Sequence, residues 1–213
     1  MSTTARCIFF DLDGTLTDSA PGMTESFLYI FDKYGIDIGD HDIRRLFGPP
    51  ISVSLQPYFA TPEDVVEAVA EFRAHYKDRY LTGNSLYNGI ADMLDALKAR
   101  GYTLAVVTGK PDWSANNIID HFGLRKYFDG VYGSDSLHAE KIEALTKALQ
   151  AFNCPPDQAV MIGDRLYDLE AAMLARTGGI GILWGYGDRN ELEAYENLFL
   201  ASSPDEITRY FCG

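Results

Sequence analysis

The sequence predicts an α/β protein built on a doubly wound, mostly parallel, Rossmann-like sheet, with an all-helical domain inserted close to its start. Three observations predict it. Short β-branched or aromatic runs end repeatedly in glycine, threonine or acid. Helical patterns with apolar residues three and four apart separate the later runs. After the first run, a block of roughly 65 residues carries helical patterns only, as an inserted domain would. Strands alternating with helices imply parallel pairing, right-handed crossovers and a ligand site at the carboxyl ends of the strands.

The first strand is "CIFFD", from Cys7. Helix then follows throughout: "PGMTESFLYIFDKYG" (21–35) with a glycine stop, "HDIRRLFG" (41–48) as a short piece, and "TPEDVVEAVAEFRAHYKDRYLTG" (61–83) as a long one. Thr61 is placed to cap the long helix and Pro62 to begin it, with Val65, Val69, Phe72, Tyr76 and Tyr80 on one face as interior residues of the insert. The insert is placed at 17–83, leaving 1–16 and 84–213 as the core domain. From there strand and helix alternate: Ile90, Met93, Leu94 and Leu97 on a helix, "TLAVVTG" (103–109), Trp113 through Phe122, "DGVYGSD" (129–135), and Ile142, Leu145, Leu149 and Phe152. "AVMIGD" (159–164), Leu166 through Leu174 and "GGIGILWGYG" (178–187) complete the series.

Composition narrows the function. The 213 residues are 46% hydrophobic, which is enough for a full core and argues against disorder. Lys plus Arg number 18 against 31 for Asp plus Glu, so a formal charge of −13 repels nucleic acid and anionic membrane, and a phosphate-bearing ligand would need local positive charge. Cys7, Cys154 and Cys212 have no metal-type spacing and read as reduced thiols. Without a signal segment or an apolar run approaching the ~20 residues of a membrane span, the chain is expected to be soluble and cytoplasmic, and a monomer by default.

The residues at the strand ends carry the chemistry. They are Asp11 and Asp13 after the first strand, Thr108 and Lys110 after the second, Ser134 and Asp135 near the third with Lys141 a little further on, and Asp164 and Asp168 after the fourth. The carboxylates of Asp11, Asp13, Asp164 and Asp168 on one sheet edge repel one another and are costly to keep ionised without a cation among them. An all-oxygen set lacking His and Cys suits a hard cation, and Mg²⁺ fits best because it binds through few carboxylates plus a phosphate. Lys141, the Thr108 hydroxyl and neighbouring backbone N–H groups, that of Gly109 included, are suited to phosphate oxygens. The assembly suits phosphoryl transfer, in which a carboxylate can act as the nucleophile.

"DLDGTLTD", "VVTGKP", Lys141 and "GDRLYD", in that order and with helices between the first two, resemble the four signature motifs of the haloacid dehalogenase superfamily, in its phosphoglycolate phosphatase-like branch with a helical cap. The resemblance implies a haloacid dehalogenase-like fold and an Mg²⁺-dependent phosphatase acting on a small phosphorylated metabolite through an aspartyl-phosphate. It assigns Asp11 as nucleophile and metal ligand, and Asp13 as acid, then base, and as metal ligand through its backbone carbonyl. Thr108 and Lys141 would grip the phosphoryl group, and Asp164 would complete the metal site. Asp168 would act as a ligand through water or as the orienter of Lys141. Gly14 and Thr15 would shape the turn into the cap, and Lys110 would neighbour the site.

Other readings stay open beside this one. A phosphoglucomutase-like phosphotransferase would use the same residues. A phospho-acceptor signalling module also clusters Asp, Thr and Lys, but the length, the insert and the acid on the first strand oppose it. A dehalogenase would lack the second acid that Asp13 provides. Asp168 can also be read as an acid favoured by the dipole at a helix start. His41, His75, His121 and His138 have no metal spacing. "WGYGDRNE" (184–191) reads as a flexible connection at the rim of the site. In "FGPPIS" (47–52), Gly48 and Pro49 stand either as a proline turn or as a loop presented to the leaving group.

Overall fold

The computed structural model describes residues 5–39, 42–134 and 140–213; His41, Asp135 and His138 lie outside these. Its elements in chain order are β1 (Cys7–Phe10), β2 (Thr17–Asp18), α1 (Ala20–Tyr34), α2 (Ile51–Leu55), α3 (Pro62–Tyr76), β3 (Ser85–Leu86), α4 (Ile90–Ala99) and β4 (Thr103–Val107). There follow α5 (Asp112–His121), β5 (Gly130–Tyr132), α6 (Lys141–Ala151), β6 (Ala159–Gly163), α7 (Leu166–Ala175), β7 (Gly178–Ile182), α8 (Arg189–Glu193), β8 (Phe199–Ala201) and α9 (Pro204–Cys212).

Six parallel strands form one sheet in the order β5-β4-β1-β6-β7-β8. Side-chain alternation sends Ile8, Phe10, Leu104, Val106, Val160 and Ile162 to one face, where α4, α5 and α9 cover them. Cys7, Phe9, Ala105, Val107, Ala159 and Met161 go to the other face, against α6 and α7. Both faces are dry, which is why these strands are apolar throughout and show no polar alternation.

The interval before β4 is not helix throughout, as the sequence suggested. β2 and β3 pair antiparallel, Thr17 opposite Leu86 and Asp18 opposite Ser85. Two residues are too few for a period-two pattern to be visible. The long helix stops at Tyr76, and 77–83 continue as turns; "HDIRRLFG" contributes a 3₁₀ turn at Ile43–Leu46. Thr61 does cap α3, its hydroxyl accepting the Asp64 N–H at 3.2 Å, and Gly35 ends α1 in the left-handed conformation. Between β2 and β3, the helices α1, α2 and α3 share an apolar cluster of their own, in which Phe27 contacts Phe31, Phe47 and Phe72. No helix among the described residues is long and apolar enough to cross a membrane.

Candidate active site

Register brings the predicted residues to one edge. Phe10, the last residue of β1, lies opposite both Val106 and Ile162, so β4 and β6 end one residue beyond it. Thr108, Asp11 and Asp164 therefore emerge at one edge within a residue of one another, and the Asp11 N–H donates to Ile162 O at 2.9 Å. Asp11, Thr108, Asp164 and Asp168 are all buried.

Two lysines divide the acids between them. Lys141, at the start of α6, bonds Asp11 Oδ2 at 2.8 Å and Asp168 Oδ1. Lys110 lies 3.1 Å from Asp13 Oδ2, and its Nζ also reaches the Tyr76 hydroxyl at 3.2 Å. Asp168 Oδ2 accepts the Arg165 N–H at 3.0 Å, so this carboxylate closes the first turn of α7 while holding Lys141. Asp164 accepts the Thr15 hydroxyl at 3.1 Å and the Tyr186 N–H at 2.8 Å. Gly14 turns the chain between Asp13 and Thr15 at φ +81°, and a Cβ there would lie 2.2 Å from Asp164 Oδ2. The position thus requires glycine for its backbone angle and for space.

Oxygens of Asp11, Asp164 and Asp168 lie within 4.8 Å of one another. Asp13 is not in that group; its carboxylate turns to Lys110. Asp11 Oδ1 and Asp13 Oδ1 are buried with no hydrogen-bond partner among the described residues. Burial pushes the Asp11 carboxyl up to about 6, against the pull of Lys141. Burial, reinforced by the charges of Asp168 and Asp11, pushes Asp164 up to about 8. Burial alone would lower Lys141 and Lys110, but their carboxylate partners outweigh it and hold both charged. An all-oxygen cluster with an orphaned oxygen and acids that resist ionisation fits a hard divalent cation.

A cleft of about 510 Å³ opens over these residues. Gly109, Gly48 and Pro49 line it, with the cap-side residues Tyr76 and Tyr80. The sequence placed both tyrosines in the interior of the insert. Tyr76 does pack beside that cluster, but Tyr80 lies beyond the end of α3 and packs against the core domain's cluster. The stretch 184–191 also differs from its reading as a rim connection. The Tyr186 hydroxyl accepts the Ser19 N–H at 2.8 Å and donates to Asp18 Oδ1 at 3.1 Å, while its ring meets Phe47 edge-on at 5.2 Å. One residue thus touches Asp164, the β2–α1 junction and the helical segment. Glycines flanking a tyrosine were the available signal: a Cβ at Gly185 would lie 2.3 Å from Asp164 Cβ.

Comparison with known proteins fits this geometry. Residues 8–182 match the haloacid dehalogenase-like hydrolase family. The chain belongs to that family. Among its relatives are a 5′-nucleotidase of Pseudomonas aeruginosa, 36% identical over 195 residues (89% of this chain, 87% of the relative), and the tyrosine-protein kinase PtkA of Mycobacterium tuberculosis, 35% identical over 185 residues. That alignment covers 85% of this chain but 63% of the kinase, so this chain spans under two thirds of that relative's length. A solved haloacid dehalogenase-like family protein of Streptococcus pneumoniae superposes with a TM-score of 0.92 at 32% identity, covering 98% of this chain and 99% of its own. Within the family, phosphatases generally use a divalent metal, in keeping with the buried cluster of Asp11, Asp164 and Asp168.

Proposed function

We propose that this haloacid dehalogenase-like protein is an Mg²⁺-dependent phosphatase that hydrolyses small phosphomonoesters through an aspartyl-phosphate on Asp11. The observation that carries the reading is the pair of acids after β1: each is tied to its own lysine, and each keeps a buried oxygen without a hydrogen-bond partner among the described residues. Relatives named 5′-nucleotidase and phosphoglycolate phosphatase support the reaction class.

Asp11, Asp164 and the Asp13 backbone carbonyl would hold Mg²⁺, which when bound neutralises the acids and the phosphoryl oxygens. Lys141 and the Thr108 hydroxyl grip the non-bridging oxygens. The Asp11 carboxylate attacks phosphorus and forms the acyl phosphate, as the P–O bond to the leaving alcohol breaks. Asp13 gives its proton to that alcohol, then takes one from the water that attacks the phosphorus of the aspartyl-phosphate, releasing inorganic phosphate and restoring Asp11. Asp168 positions Lys141. The helical segment closes over the cleft and excludes bulk water.

A panel of phosphate esters incubated with Mg²⁺ is expected to release inorganic phosphate stoichiometrically with the alcohol. An isomerised sugar phosphate in its place would establish the mutase, and a stable phosphoprotein without turnover the acceptor module.

Metal and pH provide a second test. An acid whose folded pKa is raised costs nothing below about pH 4, where folded and unfolded chains are both protonated, and costs most above its folded value. With Asp11 at about 6 and Asp164 at about 8, the metal-free fold loses stability as pH rises between those limits. At pH 8, Mg²⁺ at a hundred times its Kd should add about 2.7 kcal/mol, or about 5–11 °C of melting temperature. At pH 5 the gain should shrink because protons compete for the same oxygens. Differential scanning calorimetry decides it: an equal Mg²⁺ shift in the wild type and in Asp164→Asn would remove Asp164 from the metal site.

A further inference from the structure

The proposed reaction occupies only one end of the cleft. Its volume, about 510 Å³, lies in the range that holds a drug-sized ligand, well beyond a two-carbon ester. The cations deep in it, Lys110 and Lys141, are already paired with Asp13 and with Asp11 and Asp168. The other lining cations, Arg73 and Lys77, are exposed at the rim, where Glu140 and Glu170 also lie. A second anionic group on the substrate would find little compensation inside.

What the cleft offers instead is aromatic surface. Phe72, Tyr76, Tyr80 and Trp113 follow one another with ring centroids 5.8, 6.5 and 5.6 Å apart, and all four line the cleft. The two middle rings are anchored. Tyr76 holds Lys110 beneath its hydroxyl, with Nζ 4.7 Å from the ring centre, which joins it to Asp13. Asn117 Nδ2 donates to the Tyr80 hydroxyl at 3.0 Å, fixing that ring against α5. Trp113 meets Tyr80 at 79°, edge to face, so Tyr80 covers at most one face of the indole. Trp113 is 53% exposed as the second residue of α5, five residues after Thr108. Of nine exposed large hydrophobic residues among those described, three (Val53, Trp113 and Leu174) surround this mouth. An indole left open beside a phosphoryl site is poorly accounted for as core and well accounted for as a stacking surface.

We propose that Trp113 and Tyr80 form a platform for a planar aromatic ring on the leaving group, making the preferred ester an aromatic one with little charge beyond its phosphate. This deepens the phosphatase reading and rests on it. A nucleobase and a phenyl ring share the required chemistry, and the test separates them.

The first measurement needs no turnover. The chain has two tryptophans, and Trp184 does not line the cleft, its indole N–H being bonded to Thr15 O at 3.0 Å. Quenching by ligands is therefore read from Trp113 by comparing Asp11→Asn with Asp11→Asn/Trp113→Phe. Adenosine 5′-monophosphate or O-phosphotyrosine is expected to quench the first and not the second, and inorganic phosphate and phosphoglycolate to quench neither. A response to the nucleotide alone assigns a nucleobase, and one to phosphotyrosine alone a phenyl ring. The second measurement is kinetic. Base-on-aromatic stacking predicts that Trp113→Ala raises KM for the aromatic ester about 10-fold or more with kcat retained, that KM for phosphoglycolate moves less than about 2-fold, and that Trp113→Phe recovers much of the loss. The platform is overturned if no aromatic ester quenches Trp113, or if Trp113→Ala shifts KM equally for phosphoglycolate and aromatic esters. Quenching in a protein that hydrolyses no ester would retain the platform and discard the phosphatase.

Discussion

Asp11→Asn protein is expected to fold normally and to lose turnover by about 10⁴-fold or more, the scale seen when a nucleophile acting within a catalytic unit is removed. The amide has the shape of the carboxylate but cannot form the acyl phosphate. Its effect on folding should be small or favourable. Asp11 is buried, one of its oxygens has no hydrogen-bond partner among the described residues, and burial already works against its charge. Lys141 keeps its second carboxylate, Asp168, when Asp11 becomes neutral. The melting temperature of metal-free Asp11→Asn at pH 8 should therefore equal or exceed that of the wild type. Acid quenching during turnover of a ³²P-labelled ester should trap label on the wild-type chain and none on the variant. Wild-type rates of aryl phosphate hydrolysis by purified Asp11→Asn protein would sink the assignment.

Folding without activity would also separate what the sequence could express from what it could not. The β1, β4, β6 and β7 runs are apolar because both faces of the sheet are buried, and the first three end where Asp11, Thr108 and Asp164 begin, so strand and site residue were legible together. β8 was missed because three residues at a sheet edge, Phe199–Ala201, carry too little pattern. Asp11, Thr108 and Asp164 were legible because parallel strands deliver their following residues to one edge. Their partners were another matter. Tyr186 reaches Asp18 across 168 positions, and no local periodicity encodes such a contact. Nor could spacing show that Lys110 serves Asp13 and Lys141 serves Asp11, since both lysines follow strand ends. Tyr80 shares the i, i+4 spacing of Phe72 and Tyr76, but the helix ends at Tyr76, and the turns beyond carry Tyr80 out to Trp113. In each case a local rule was correctly applied and then overruled by a tertiary contact.

The lysine assignment has the second large consequence. Lys141 neutralises Asp11 and Asp168 from a side chain with 9% relative exposure, and Asp164 stands within the same 4.8 Å cluster. Lys141→Met would leave three buried carboxylates without their ammonium, and breaking such a pair from one side costs about 3–5 kcal/mol, or about 6–20 °C of melting temperature at this size. The sign of the pH dependence follows. Without Lys141 the acids are still harder to ionise, so the loss should be greatest near pH 8 and should fade toward pH 5 as they take up protons. Asp168→Asn in the same chain should restore much of the stability, because the charge requiring the lysine has gone, and the two substitutions should be strongly non-additive. Activity should not return with stability. A donor aimed at developing phosphoryl charge contributes about 10²–10³-fold, and the amide at 168 supplies no cation to replace it. If Lys141→Met instead melted like the wild type at pH 8 and kept its rate, the phosphate-gripping role would pass to Lys110, which Asp13 and Tyr76 already hold over the same cleft.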